Sequence, residues 1–71
     1  MSKRNQIIDS LILFAEGQIA KHKTNVDIYL DNSVGIGEHS DVLASIQEEI
    51  NIISQYDEQI GVLKKYFQKD N

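Results

Sequence analysis

Isoleucine returns every seven residues on both sides of a single glycine-containing break, and few folds can use such a pattern. Ile12, Ile19 and Val26 form one series; Ile46, Ile53, Ile60 and Phe67 form the other. Seven residues span just under two helical turns, so each series stays on one side of its helix and needs an apolar partner along that side. A second inner position interleaves with each series. It holds Ile8, Ala15, His22 and Tyr29 before the break, and Val42, Glu49, Tyr56 and Leu63 after it. The pattern predicts an all-α chain folded as an antiparallel two-helix hairpin, with helices over about 3–30 and about 41–69 and a loop over about 31–40.

The stripes are wider than a two-stranded seam requires. Ile7, Leu11 and Leu30 flank the first stripe and Ile50 broadens the second, while Leu13, Phe14 and Ile28 lie farther from its centre. Two helices laid side by side bury one stripe each, and a chain of 71 residues has no further element to cover the rest. Cysteine is absent, so no disulfide or thiolate metal site can staple the fold, and the absence of proline leaves both helices uninterrupted. Association of copies is the remaining common remedy. The expected assembly is a homo-oligomer, a dimer in preference, that completes a four-helix bundle.

Turn chemistry is concentrated in Asp31-Asn32-Ser33-Val34-Gly35-Ile36-Gly37, where two glycines open backbone angles closed to other residues. Val34 and Ile36 are expected to cap one end of the core, and Ser40 to cap the second helix with Asp41 in its first turn. Just before the turn, Val26-Asp27-Ile28-Tyr29-Leu30 is rich in β-branched and aromatic residues and would also alternate as a short strand. The heptad runs through Val26 and Tyr29 without a slip, which favours helix. Gly17 falls on the outer face and reads as a tolerated surface glycine.

Several function classes are disfavoured by composition. A formal charge of −4 argues against general nucleic-acid binding, which needs a basic face. Asp9, Glu16 and Gln18 interrupt the first apolar stretch well short of the roughly 20 residues of a membrane span. A cytoplasmic protein with no membrane partner is the simplest expectation. Gly35-Ile36-Gly37-Glu38-His39-Ser40 has the outline of a phosphate-binding loop, but Glu38 and Asp41 would repel an anion and no βαβ pattern surrounds it. An EF-hand beginning at Asp31 fails because Ile36 stands where glycine is needed and Val42 where a bidentate acid belongs. His22 and Glu49 are the polar intruders of the inner positions. Facing each other across the helices they could contribute to a metal site, yet no Glu-x-x-His pair supports this, and polar residues that fix register are the simpler reading. Tyr29, Tyr56, Tyr66 and His39 come with no nucleophile or anion hole. No cofactor and no enzymatic activity are expected.

Charge is unevenly placed along the expected hairpin. Lys3, Arg4, Lys64, Lys65 and Lys69 fall at the open end, and Asp27, Asp31, Glu38 and Asp41 at the loop end. The corresponding expectation is that two hairpins associate head to tail, each basic end beside an acidic one. The segments Lys21-His22-Lys23-Thr24-Asn25-Val26-Asp27-Ile28-Tyr29-Leu30 and Val34-Gly35-Ile36-Gly37-Glu38-His39-Ser40-Asp41 resemble a small uncharacterised protein of T-even-type tailed phages that infect marine bacteria. The resemblance weakens through Tyr56 to Phe67. It implies a phage-encoded protein made in a bacterial cytoplasm, and it implies that the loop from Val34 to Asp41 acts as a unit, in folding or in touching a phage or host protein. It carries no catalytic residue and no cofactor. Two functions follow as expectations: a structural or interaction protein that self-associates through its heptads, or a small regulator that binds nucleic acid through the basic open end.

Overall fold

The computed structural model describes residues 3–31 and 41–70, and these form two long helices and a short tail. Helix α1 runs Lys3–Asp31 and helix α2 runs Asp41–Tyr66. Pairings across the two helices run in opposite directions along the chain: Asn5 meets Asp70, Phe14 meets Tyr56 and His22 meets Glu49. The architecture is therefore an antiparallel helical hairpin, and no strand occurs among the described residues. Val26–Leu30 belongs to α1, because the apolar period carried by Val26 and Tyr29 outweighs local β preference.

Each helix forms for reasons visible in its own residues. Neither contains proline, and α2 carries Asp41 in its first turn and Lys64 and Lys65 in its last, where each charge opposes the helix dipole. Helix α1 has no acid in its first turn and no base in its last, so its stability depends more on what it packs against. Gly17 and Gly61 face open space, with no atom within 4 Å of a Cβ built at either position. They are surface glycines.

The second helix ends earlier than the heptad predicts, at Tyr66 rather than near residue 69. A last helical bond runs from the Phe67 amide to the Leu63 carbonyl at 3.0 Å, after which the main chain turns across the start of α1. There the Asn5 side chain takes both main-chain groups of Asp70, donating from Nδ2 to its carbonyl at 2.7 Å and accepting from its amide at 2.8 Å. Arg4 donates to the Gln68 carbonyl at 3.0 Å and stands 3.7 Å from the Asp70 carboxylate. Lys69 pairs with Asp9 at 2.9 Å. Side chains of the first helical turns thus satisfy the tail's polar main chain, which would otherwise continue as frayed helix.

The core is thin and lies between the helices. Only Ile8 and Ala15 are fully buried among the described residues, at 6% and 2% exposure. The radius of gyration is 16.3 Å, against about 11 Å for a compact domain of this length. The Cα atoms extend over 54 × 17 × 12 Å, the proportions of a slat, with almost every side chain within reach of its surface.

Candidate functional site

The most structured polar feature lies between the helices in the half nearer residues 32–40. His22 from α1 and Glu49 from α2 point at each other from inner heptad positions, and their side chains are only 14% and 13% exposed. Nδ1 of His22 lies 3.0 Å from Oε1 and 3.2 Å from Oε2 of Glu49. A carboxylate only accepts, so Nδ1 must carry the proton and donate. Asn25, one turn after His22, donates from Nδ2 to the same Oε1. The Asn25 bond and then the His22 bond hold the Glu49 carboxyl below its ordinary value of 4.5; partial desolvation opposes this, and the charges of His22 and Lys21 add to the lowering.

The layer is a fully hydrogen-bonded polar cluster. No buried side-chain nitrogen or oxygen lacks a partner among the described residues. No group of three or more His, Cys, Asp or Glu side chains that could hold a metal ion occurs among them either. Sequence reasoning identifies His22 and Glu49 as facing intruders, and the structure brings them together. It misses Asn25, whose signal is its position one turn beyond His22 on the edge of the same face.

The other residues expected in the helix-packing interface are distributed unevenly. Ile8 is buried, and Ile12, Ile19, Val26 and Tyr29 on α1 are half-buried, as are Val42, Ile46, Ile53, Tyr56, Ile60 and Leu63 on α2. Ile50 and Phe67 lie nearer the outside, at 42% and 49% exposure. Ile50 follows Glu49 and so turns onto a flank, while Phe67 lies beyond the end of α2 and lines a hollow together with Ile8 and Leu63. The loop residues Val34, Gly35, Ile36, Gly37, Glu38 and His39, with the expected cap Ser40, lie outside the described residues.

Apolar surface gathers on one flank of the hairpin near the chain ends. Leu11, Phe14, Tyr56, Val62 and Leu63 line a shallow groove there. An adjoining hollow is walled by Arg4, Ile7, Leu11 and Phe67. Phe14 packs edge to face on Tyr56 with ring centroids 5.9 Å apart and still leaves 58% of itself exposed. Ile7 at 58%, Leu11 at 50% and Val62 at 40% join it. Scattered apolar side chains on a surface are ordinary, but a contiguous set marks a contact site.

The basic residues expected at the open end are partly answered by acids of the same chain. Lys69 is held by Asp9 and Arg4 by Asp70, and Lys65 lies over the Tyr66 ring at 5.2 Å. No helix among the described residues is long and apolar enough to cross a membrane. No family model, curated protein or solved structure matches the chain.

Proposed function

We propose that this chain is a non-enzymatic interaction protein that associates with itself, a dimer in preference, so that four helices complete the core that two begin. The carrying observation is the amount of apolar surface left uncovered: Ile7, Leu11, Leu13, Phe14, Ile28, Leu30 and Leu43 are each at least half exposed, while among the described residues only Ile8 and Ala15 are buried. Accessible area supports the same reading. The chain exposes 5567 Å², about 1,000 Å² more than the roughly 4,500 Å² of a compact monomer of this mass. A standard interface removes about 800 Å² from each partner, so one such contact would bring the chain close to the usual ratio.

In this reading the His22, Asn25 and Glu49 layer fixes the register of the helices and takes part in no reaction. The outer surface of the assembly would be offered to a phage or host protein, in a bacterial cytoplasm if the chain is phage-encoded as its resemblance implies. Sedimentation equilibrium from about 1 to 100 µM, followed in parallel by circular dichroism, tests the proposal. A dimer whose helicity and melting temperature rise with concentration is expected. A well-folded monomer across the whole range would overturn it. The rival regulator would instead retard short DNA or RNA at low salt and lose this when Lys64, Lys65 and Lys69 are replaced by glutamine.

A further inference from the structure

We infer that two copies pair through the single flank that carries Ile7, Leu11, Phe14 and Val62, offset so that Leu11 of each copy lies at the two-fold axis. The inference rests on the self-association reading above and specifies its surface and register.

The two flanks of the hairpin differ in what they would bury. The opposite one also exposes Leu13, Leu30, Leu43 and Ile50, but it interleaves them with Asp9, Glu16, Lys23, Asp27, Asp57 and Lys64, so covering it would desolvate several charges. On the flank of Leu11 the apolar residues are contiguous through the groove and the adjoining hollow, with Gln55, Glu58 and Gln59 along the groove and Arg4 at the hollow. Apolar area is the main source of affinity between helical faces, and this flank has it in one place.

Register follows from where the patch lies. Phe14 stands beside Tyr56, so Leu11 is level with Gln59. A two-fold axis across the helices at that level sets Leu11 against its own equivalent and brings Ile7 within about one residue of Phe14 of the second copy. On α2 it sets Tyr66 against Ile52 and Gln59 against its own equivalent. This is a self-complementary contact of the kind a two-fold dimer requires. Full head-to-tail overlap would instead place Leu11 near Asn25 and Phe14 near Lys21, spending the patch on polar partners. A parallel pairing would cover the patch but would bring Lys3, Arg4, Lys64, Lys65 and Lys69 of both copies to one pole. The offset antiparallel arrangement covers the patch and keeps the basic ends on opposite sides.

The chain contains no cysteine, so single cysteines report the register without background. A disulfide needs Cα atoms within about 7 Å. Gln59→Cys is expected to cross-link quantitatively to its equivalent under mild oxidation. Gln18→Cys, about 20 Å from its equivalent at 1.5 Å per residue, is expected to stay reduced. Leu11→Asp should weaken the dimer on the order of a hundredfold or more. Leu13→Asp, at a 67% exposed site on the other flank, should leave the dimer intact. Cross-linking through Gln18→Cys instead of Gln59→Cys would overturn the offset. A dimer that survives Leu11→Asp but not Leu13→Asp would overturn the flank while leaving self-association standing. A monomeric wild-type chain would remove both. The cysteine pair keeps the inference testable even if Leu11→Asp reduces helicity.

Discussion

The half of the hairpin near the chain ends and the half near residues 32–40 share one heptad but are held together differently. Near the chain ends the helices close on Ile8 and Ala15, Phe14 packs on Tyr56, and the tail is fastened by Arg4 and Asn5. Toward residues 32–40 no side chain is fully buried among the described residues, and the most specific contact is the His22, Asn25 and Glu49 layer. The first half holds the fully buried side chains and the second the most specific polar contact. Apolar side chains tolerate sliding by a turn, whereas a carboxylate with two donors aimed at it has one good position.

The largest test of this contrast is Ile8→Ala. Removing a buried side chain of that size is expected to cost about 2–4 kcal/mol, read as a drop in the denaturant midpoint. Ile46→Ala, at a half-buried site in the other half, should cost distinctly less. Equal losses would show that burial is spread evenly after all.

Next in size comes Glu49→Ala, which takes from His22 and Asn25 the acceptor they share. Melting temperature should fall, though by less than in Ile8→Ala. Replacing His22 and Glu49 together by leucine should restore or raise it while loosening register, seen as broadened amide signals in a proton–nitrogen spectrum. If the double leucine chain gives sharp, unique signals, the layer has no directing role.

A smaller effect appears in acid. The Glu49 carboxyl is lowered by its Asn25 and His22 bonds in the folded chain, so its contribution is present above the ordinary value of 4.5. It is lost as pH falls through the lower folded value. Thermal melts of the wild type should therefore lose more stability between about pH 5 and pH 3 than melts of Glu49→Gln. Parallel curves for the two proteins would contradict the bonding described for this layer.

The smallest expected change is a gain. Gly17→Ala places a methyl group in open space and should stabilise the chain by about 0.5–1 kcal/mol in chemical denaturation. A loss there would mean that another surface lies against Gly17 in solution.

How much of this could be read from the chain depends on range. The helices, their antiparallel order and the meeting of His22 with Glu49 follow from period and length, because a heptad fixes which residues face inward. Val26–Leu30 was open between helix and strand on local preference, and the period resolves it. The end of α2 at Tyr66 was not legible, since it depends on Asn5 and Arg4 reaching main-chain groups more than sixty residues away. Nor were the outward positions of Ile50 and Phe67. One lies at the margin of the stripe, where a small rotation of the helix decides exposure, and the other lies past a helix end that periodicity does not mark. The apolar flank was partly visible in Leu11 and Phe14. Its continuity with Val62 needs the two helices side by side, which spacing within one helix cannot show.

The fastening of the tail to the first turn of α1 also determines how the molecule would respond to force. Asn5 grips Asp70, so a tether attached at each end of the described chain would leave from the same pole. Tension between such tethers loads the contacts one after another, like a zip, beginning with Arg4 and Asn5. The helices would not slide past one another with all contacts strained together. Peeling of this kind needs little force per step, and the first barrier it meets after Ile8 and Ala15 have parted is the Glu49 layer.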